Sequence, residues 1–162
     1  MGAILPDPLE DPGLSAADYF QIQALVHSYP RLLDGGDLTG LGQLFRHATV
    51  HIQGVEEPIV RDPANITGMF ADFLRLYEGR PRTRHSMANL IIEPDGPDAA
   101  RASCMVVVFQ QTPDFPLQPI ITGDYQDRFA KVDGEWAFVE RRITNDLFGD
   151  LRAHGRYEYR PV

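Results

Sequence analysis

Tyr29-Pro30-Arg31-Leu32-Leu33-Asp34-Gly35-Gly36-Asp37 and, further along, Arg84-His85-Ser86-Met87-Ala88-Asn89-Leu90-Ile91-Ile92-Glu93 decide how this chain is read. The first segment closes an apolar helix, and the second alternates in the manner of a strand. Working back from the first, Ile22, Leu25, Val26, Tyr29, Leu32 and Leu33 form one helical stripe. Ser15 is its expected cap, with Asp18 placed to complete a capping box. Gly35-Gly36 ends it. Pro30 lies inside the stripe, where it removes a backbone donor and crowds the preceding turn, so a kink is expected there.

Asp37 starts a second short helix whose apolar side is Leu38, Leu41, Leu44 and Phe45. Residues 49–53 read as a short strand. Asp62-Pro63 opens a third helix, with a capping carboxylate and a proline in the first turn. Its buried face is expected to be Ile66, Met69, Phe70, Phe73, Leu74 and Tyr77, with Gly79 as its end. After Pro81 the period changes from helical to alternating. Strands are predicted over 83–93, 99–111, 120–131 and 135–145, with a loose proline-containing connection over 112–119 and a hairpin turn at Asp133-Gly134. Helices followed by an antiparallel meander indicate an α+β fold with helices on one face of a curved sheet.

The composition narrows the function. At 162 residues, 43% hydrophobic and 23% charged, the chain reads as a single soluble domain spanning 1–162. Residues 1–13 read as a loose arm, and residues 146–162 as an aromatic, charged tail able to cover a neighbour or cross to another subunit. A net charge of −8, with 15 basic against 23 acidic residues and no basic run, disfavours nucleic acid and anionic membranes. The N-terminus lacks a basic start and an apolar core, so a cytoplasmic protein is expected. Cys104, set among Ala102, Met105 and Val106, reads as an inert buried thiol.

Few residues offer chemistry. Asp34 stands at the negative end of a helix dipole, an unfavourable place for a carboxylate, although a turn residue before two glycines explains it equally well. His85 shares a strand face with Met87, Asn89 and Ile91, and either face of that strand could be the inner one. Its imidazole suits a general base or a structural hydrogen bond. Tyr29 extends the apolar stripe, and its phenol could donate to a developing oxyanion. Asn145 and Tyr125, the latter alternating with Gly123 and Asp127, could contact a ligand. His47 and His51 lie in a strand-like stretch rather than a helix, which argues against a metal site. His27 and His154 have no evident ligand neighbours. No phosphate-binding glycine loop or nucleophile elbow is present, so no cofactor is expected.

Taken together, Tyr29, Leu33-Asp34-Gly35-Gly36-Asp37, Leu41, Leu44-Phe45, Arg84-His85, Asn89, Gly123-Asp124-Tyr125-Gln126-Asp127 and Gly134-Glu135-Trp136 resemble the SnoaL-like members of the nuclear transport factor 2-like superfamily. That resemblance implies a cone-shaped α+β barrel in which a curved antiparallel sheet wraps three N-terminal helices around a deep apolar pocket. Relatives include scytalone dehydratase, hexachlorocyclohexane dehydrochlorinase and polyketide cyclases. By the same resemblance, Asp34 and His85 hold the positions of an acid–imidazole dyad, Tyr29 matches a pocket tyrosine, and Asn145 lies where the last strand lines the pocket. The second histidine of scytalone dehydratase has no counterpart in 99–111. The expected function is a cofactor-independent lyase or isomerase acting on a small hydrophobic cyclic molecule. A polyketide cyclase is an alternative, as is a non-catalytic binding or accessory subunit such as the small subunit of a ring-hydroxylating dioxygenase. A homodimer or homotrimer is expected from the resemblance.

Overall fold

The computed structural model describes residues 13–156. The expected arm, apart from Gly13, and residues 157–162 of the expected tail lie outside the described residues. The element order is α1 (Ala16–Gly35), α2 (Leu38–Leu44), β1 (Thr49–Ile52), β2 (Ile59–Val60), α3 (Pro63–Phe73), β3 (Thr83–Pro94), β4 (Ala99–Thr112), β5 (Phe115–Val132) and β6 (Glu135–Phe148).

Local chemistry starts each helix. The Ser15 hydroxyl accepts from the Asp18 amide, and the Asp18 carboxylate accepts from the Ser15 amide at 2.9 Å, which makes the capping box reciprocal. Asp37 caps α2 through the Gly40 amide at 2.8 Å, and Asp62 caps α3 through the Asn65 amide at 2.9 Å. Asp18 serves twice, because it also accepts from the Trp136 indole at 2.7 Å and so pins the start of α1 to β6. α1 runs unbroken through Pro30 to Gly35. The proline ring is itself buried, so packing compensates the missing donor.

α3 stops at Phe73, short of the expected Gly79. Leu74 turns extended, and its backbone pairs with Gly155 instead of continuing the helix. A distant segment thus overrides the helical pattern that runs on to Tyr77.

Among the described residues the sheet has six strands in the order β2-β1-β6-β5-β4-β3, and it is curved but not closed. The expected four-strand meander is present as β3 to β6, yet the sheet is not wholly antiparallel. β1 pairs with β6 in parallel, Val50 opposite Arg141. The stretch read as a loose connection is a tight hairpin instead: Thr112 pairs with Phe115, and β5 starts there. Pro119 is accommodated opposite Phe109, where the register shifts, one of the few places a strand tolerates proline. Asp133 and Gly134 both adopt positive φ, as the predicted hairpin turn requires.

α1 packs on the inner sheet face against β3 and β6. Phe45, Phe129, Phe138, Ile22, Leu41 and Ile66 are almost wholly withdrawn from water. Each such side chain contributes about 1.5–3 kcal/mol by burial. Cys104 is buried as well, and desolvation pushes its thiol up to about 11, consistent with an inert role. Beyond β6 the chain folds back over its own inner face. The Ala153 carbonyl accepts from the Tyr77 hydroxyl at 2.9 Å and from the Gln110 amide at 3.0 Å, and the His154 carbonyl accepts from the Arg75 amide at 2.9 Å. This part of the expected tail therefore covers its own chain.

Candidate active site

The last turn of α1 and the first residues of β3 meet. Gly36 makes this possible: it takes φ +80, and a side chain there would collide with the Gly79 carbonyl oxygen. Asp34 then lies beside Thr83 and His85. One carboxylate oxygen, Oδ1, is 2.7 Å from His85 Nδ1 and accepts from the Thr83 hydroxyl at 2.6 Å. The other, Oδ2, accepts from the His85 backbone amide at 2.9 Å. These donors offset the unfavourable helix end noted above.

Burial pushes the Asp34 carboxyl up. The hydrogen bond and charge of His85, then Thr83 and the His85 amide, outweigh it and hold the group below its ordinary value. Asp34 is therefore an anion that accepts the Nδ1 proton. In a neutral imidazole this contact fixes the tautomer and makes Nε2 the nitrogen that can take a proton.

His85 lines a cavity of about 420 Å³, a size suited to a small organic ligand. Apolar residues such as Leu33, Met69, Phe70, Phe73, Val108 and Ile143 dominate the wall. The polar contributors are Tyr29, Gln53, Thr83, His85, Tyr125, Asn145 and His154, and among the described residues no Asp, Glu, Lys or Arg side chain lines it. All five residues singled out in the sequence thus fall in one place: Tyr29, His85, Tyr125 and Asn145 line the cavity, and Asp34 stands behind His85.

The strand face carrying His85 changes part-way. Thr83, His85 and Met87 turn inward, but a bulge between Ala88 and Ile91, with Asn89 at φ 53, inverts the phase. Leu90 and Ile92 then point inward, and Ile91 is exposed rather than sharing the histidine's face.

Tyr29 and Tyr125 pack edge to face with ring centroids 5.5 Å apart, and Tyr29 meets the His85 ring at 6.0 Å. Burial raises both phenols above their ordinary value, with the charge of Arg141 opposing it, so both are neutral donors. Arg141 was not anticipated from the sequence. It is fully buried, with its guanidinium 4.5 Å from the Tyr29 ring centroid and 4.7 Å from that of Tyr125. Asp127, directly across from it on β5, grips it at 2.7 and 2.6 Å. The signal was the alternation of Tyr125, Asp127 and Phe129, which sets Asp127 on the tyrosine's inward face.

His154 was also missed as a cavity residue, because nothing near it in sequence points to β3. Of the histidine pair noted earlier, His51 lies 3.5 Å from Glu140. Among the described residues no group of His, Cys, Asp or Glu is arranged to hold a metal ion.

A sequence profile of the SnoaL-like domain matches residues 15–142. The chain belongs to the SnoaL-like domain family. Solved structures agree on the fold. The SnoaL-like chain is similar to Rv3472 of Mycobacterium tuberculosis, a protein of unknown function, at 28% identity and TM-score 0.65 over 80% of this chain and 72% of that one. A scytalone dehydratase-like protein from Novosphingobium aromaticivorans shares 21% identity at TM-score 0.67, covering 89% of this chain and 90% of its own. Aln2 from a Streptomyces species shares 16% identity at TM-score 0.65, over 82% and 93% of the two chains. A cystatin-like fold is thereby established for this SnoaL-like chain. No curated protein sequence matches it.

Proposed function

We propose that this protein is a cofactor-independent lyase or isomerase that removes a proton from carbon in a small, uncharged, hydrophobic cyclic substrate. The observation that carries the reading is the 2.7 Å contact between buried Asp34 and His85 at the wall of an apolar cavity. His85 Nε2 takes the proton from a carbon next to an activating group. The C–H electron pair moves into the ring and its oxygen. Asp34 orients the imidazole and stabilises the imidazolium. Tyr29 donates to the substrate oxygen as it gains charge, and Tyr125 and Asn145 hold the ring in place. Return of the proton to another carbon completes a double-bond migration. Departure of hydroxide or halide completes an elimination.

An uncharged lining supports a neutral substrate, because a charged one would enter without a counter-ion. The SnoaL-like family and the scytalone dehydratase-like neighbour support the same class of chemistry. Exposed Ile91 and Met105, on the adjoining strands β3 and β4, support a dimer or trimer, which native mass spectrometry measures. Among the described residues no helix is long and apolar enough to cross a membrane.

The test is deuterium uptake by 2-tetralone, a bicyclic ketone with an activated C–H, followed by NMR. Wild-type protein accelerates uptake over buffer. Asp34→Asn keeps the fold by circular dichroism and slows the reaction by about 10²–10⁴-fold, the usual reach of a positioned base. Uptake equally fast in Asp34→Asn, or no faster with wild type than in buffer, removes the dyad's role and leaves a binding protein.

A further inference from the structure

His154 takes no part in the acid–imidazole pair, yet it borders the same cavity. It arrives on the segment that follows β6. Its amide donates to the Leu151 carbonyl at 2.9 Å, and its ring stands edge-on to Phe73 with centroids 5.6 Å apart. The residue is only 6% exposed, and its Nδ1 has no hydrogen-bond partner among the described residues. Buried polar atoms of this kind are rare, because folding removes their water and gives nothing back. The surrounding wall of Phe73, Leu74, Leu151 and Gly155 offers no replacement. Burial first, and then the charge of His85, hold this imidazole down to about 4, with Asp34 opposing them. At neutral pH the ring is uncharged, with one donor nitrogen and one acceptor nitrogen.

We propose that His154 is a substrate-recognition residue whose neutral imidazole hydrogen-bonds a hydroxyl or carbonyl oxygen on the ring that His85 deprotonates. The inference rests on reading the cavity as a substrate site, and it narrows the substrate class. The preferred molecule is an oxygenated ring. Bare hydrocarbons and rings bearing only halogens offer the imidazole no hydrogen bond, and a site built to pair an oxygen rejects the analogue that lacks it.

The test compares 2-naphthol with 2-methylnaphthalene, near-equal in shape, by calorimetric titration against wild type, His154→Leu and His154→Gln. Wild type prefers the naphthol, and His154→Leu loses about tenfold of that preference while still binding the methyl compound. His154→Gln, which keeps a donor and an acceptor, recovers part of it. In ¹⁵N-labelled protein the His154 ring resonances move with naphthol and stay in place with 2-methylnaphthalene. An unchanged preference in folded His154→Leu, or His154 resonances that naphthol leaves unmoved, overturns the proposal. Asp34→Asn separates the two readings, since it slows tetralone exchange yet keeps the naphthol preference. If wild type binds naphthol through His154 but exchanges no deuterium, recognition stands and catalysis falls. If neither compound binds, the cavity is not a ring site and both fall.

Discussion

Asp127→Asn removes the counter-charge from a guanidinium that meets no water. Arg141 is 0% exposed and Asp127 3%. The arginine gives Nε and Nη2 to the carboxylate, its Nη1 has no partner among the described residues, and the rings of Tyr29, Tyr125, Phe138 and Phe45 surround it at 4.5, 4.7, 4.8 and 5.3 Å. Asparagine has the same volume, so packing is preserved and only the charge and one acceptor are lost. Breaking a buried pair on one side costs about 3–5 kcal/mol. Domains of this kind hold about 5–15 kcal/mol in total, so the variant is folded but marginal. At a slope of about 1–3 kcal/mol per molar urea, the midpoint falls by about 2 M. Urea unfolding followed by the fluorescence of Trp136, the single tryptophan, measures it. The double variant Asp127→Leu with Arg141→Met discards both charges and is expected to regain most of the loss. A loss under about 1 kcal/mol for Asp127→Asn means that water reaches the guanidinium, contrary to the packing described. A double variant as unstable as the single one assigns the loss to shape rather than charge.

Two further outcomes follow from the same structure. Unfolding frees His154 from burial, so its proton affinity rises from about 4 to the ordinary 6.5, and the unfolded chain binds the extra proton. Stability therefore declines as pH falls from 6.5 to 4, by about 3 kcal/mol for this group, and His154→Gln is expected to flatten that part of a urea-midpoint profile. Asp34, whose folded value is depressed, adds a second decline as pH drops below its ordinary 3.8. Identical slopes for wild type and His154→Gln between those limits refute the assignment. Gly36→Ala places a Cβ at φ +80 against the Gly79 carbonyl, whereas Gly35→Ala meets nothing within 4 Å. The first costs about 2 kcal/mol or more and lowers the melting temperature by roughly 4–8 °C; the second leaves it level or slightly higher, by calorimetry. Equal melting temperatures argue against the close approach at the end of α1.

What could be read in advance was what short-range chemistry determines. Ser15, Asp37 and Asp62 cap their helices through amides within a turn, so their roles are visible in a few letters. Asp133-Gly134 sets its hairpin for the same reason. The meeting of Asp34 and His85 is different: spacing could not place a helix end against a strand, and only the resemblance to a family suggested it. Errors cluster where remote segments intervene. Leu74 leaves α3 to pair with Gly155, and Asn89 shifts the face of β3 through a bulge that depends on β4. Pro116 and Pro119 suggested a loop, yet β5 runs through both, and Phe109 of β4 pairs with Pro119. His154 is separated from β3 by three strands of sequence, so no local pattern marks it as a cavity residue.

The segment after β6 has a bearing on biosynthesis. Through Phe148 the chain already contains the dyad, Tyr29, Tyr125 and every strand of the described residues, yet the wall bearing Leu151, His154 and Gly155 is still missing. Without that segment the apolar lining has no cover on this side. Because synthesis runs from the N-terminus, the turn at 151–155, which is tied to Tyr77 and Gln110, is the last part of this wall to be made.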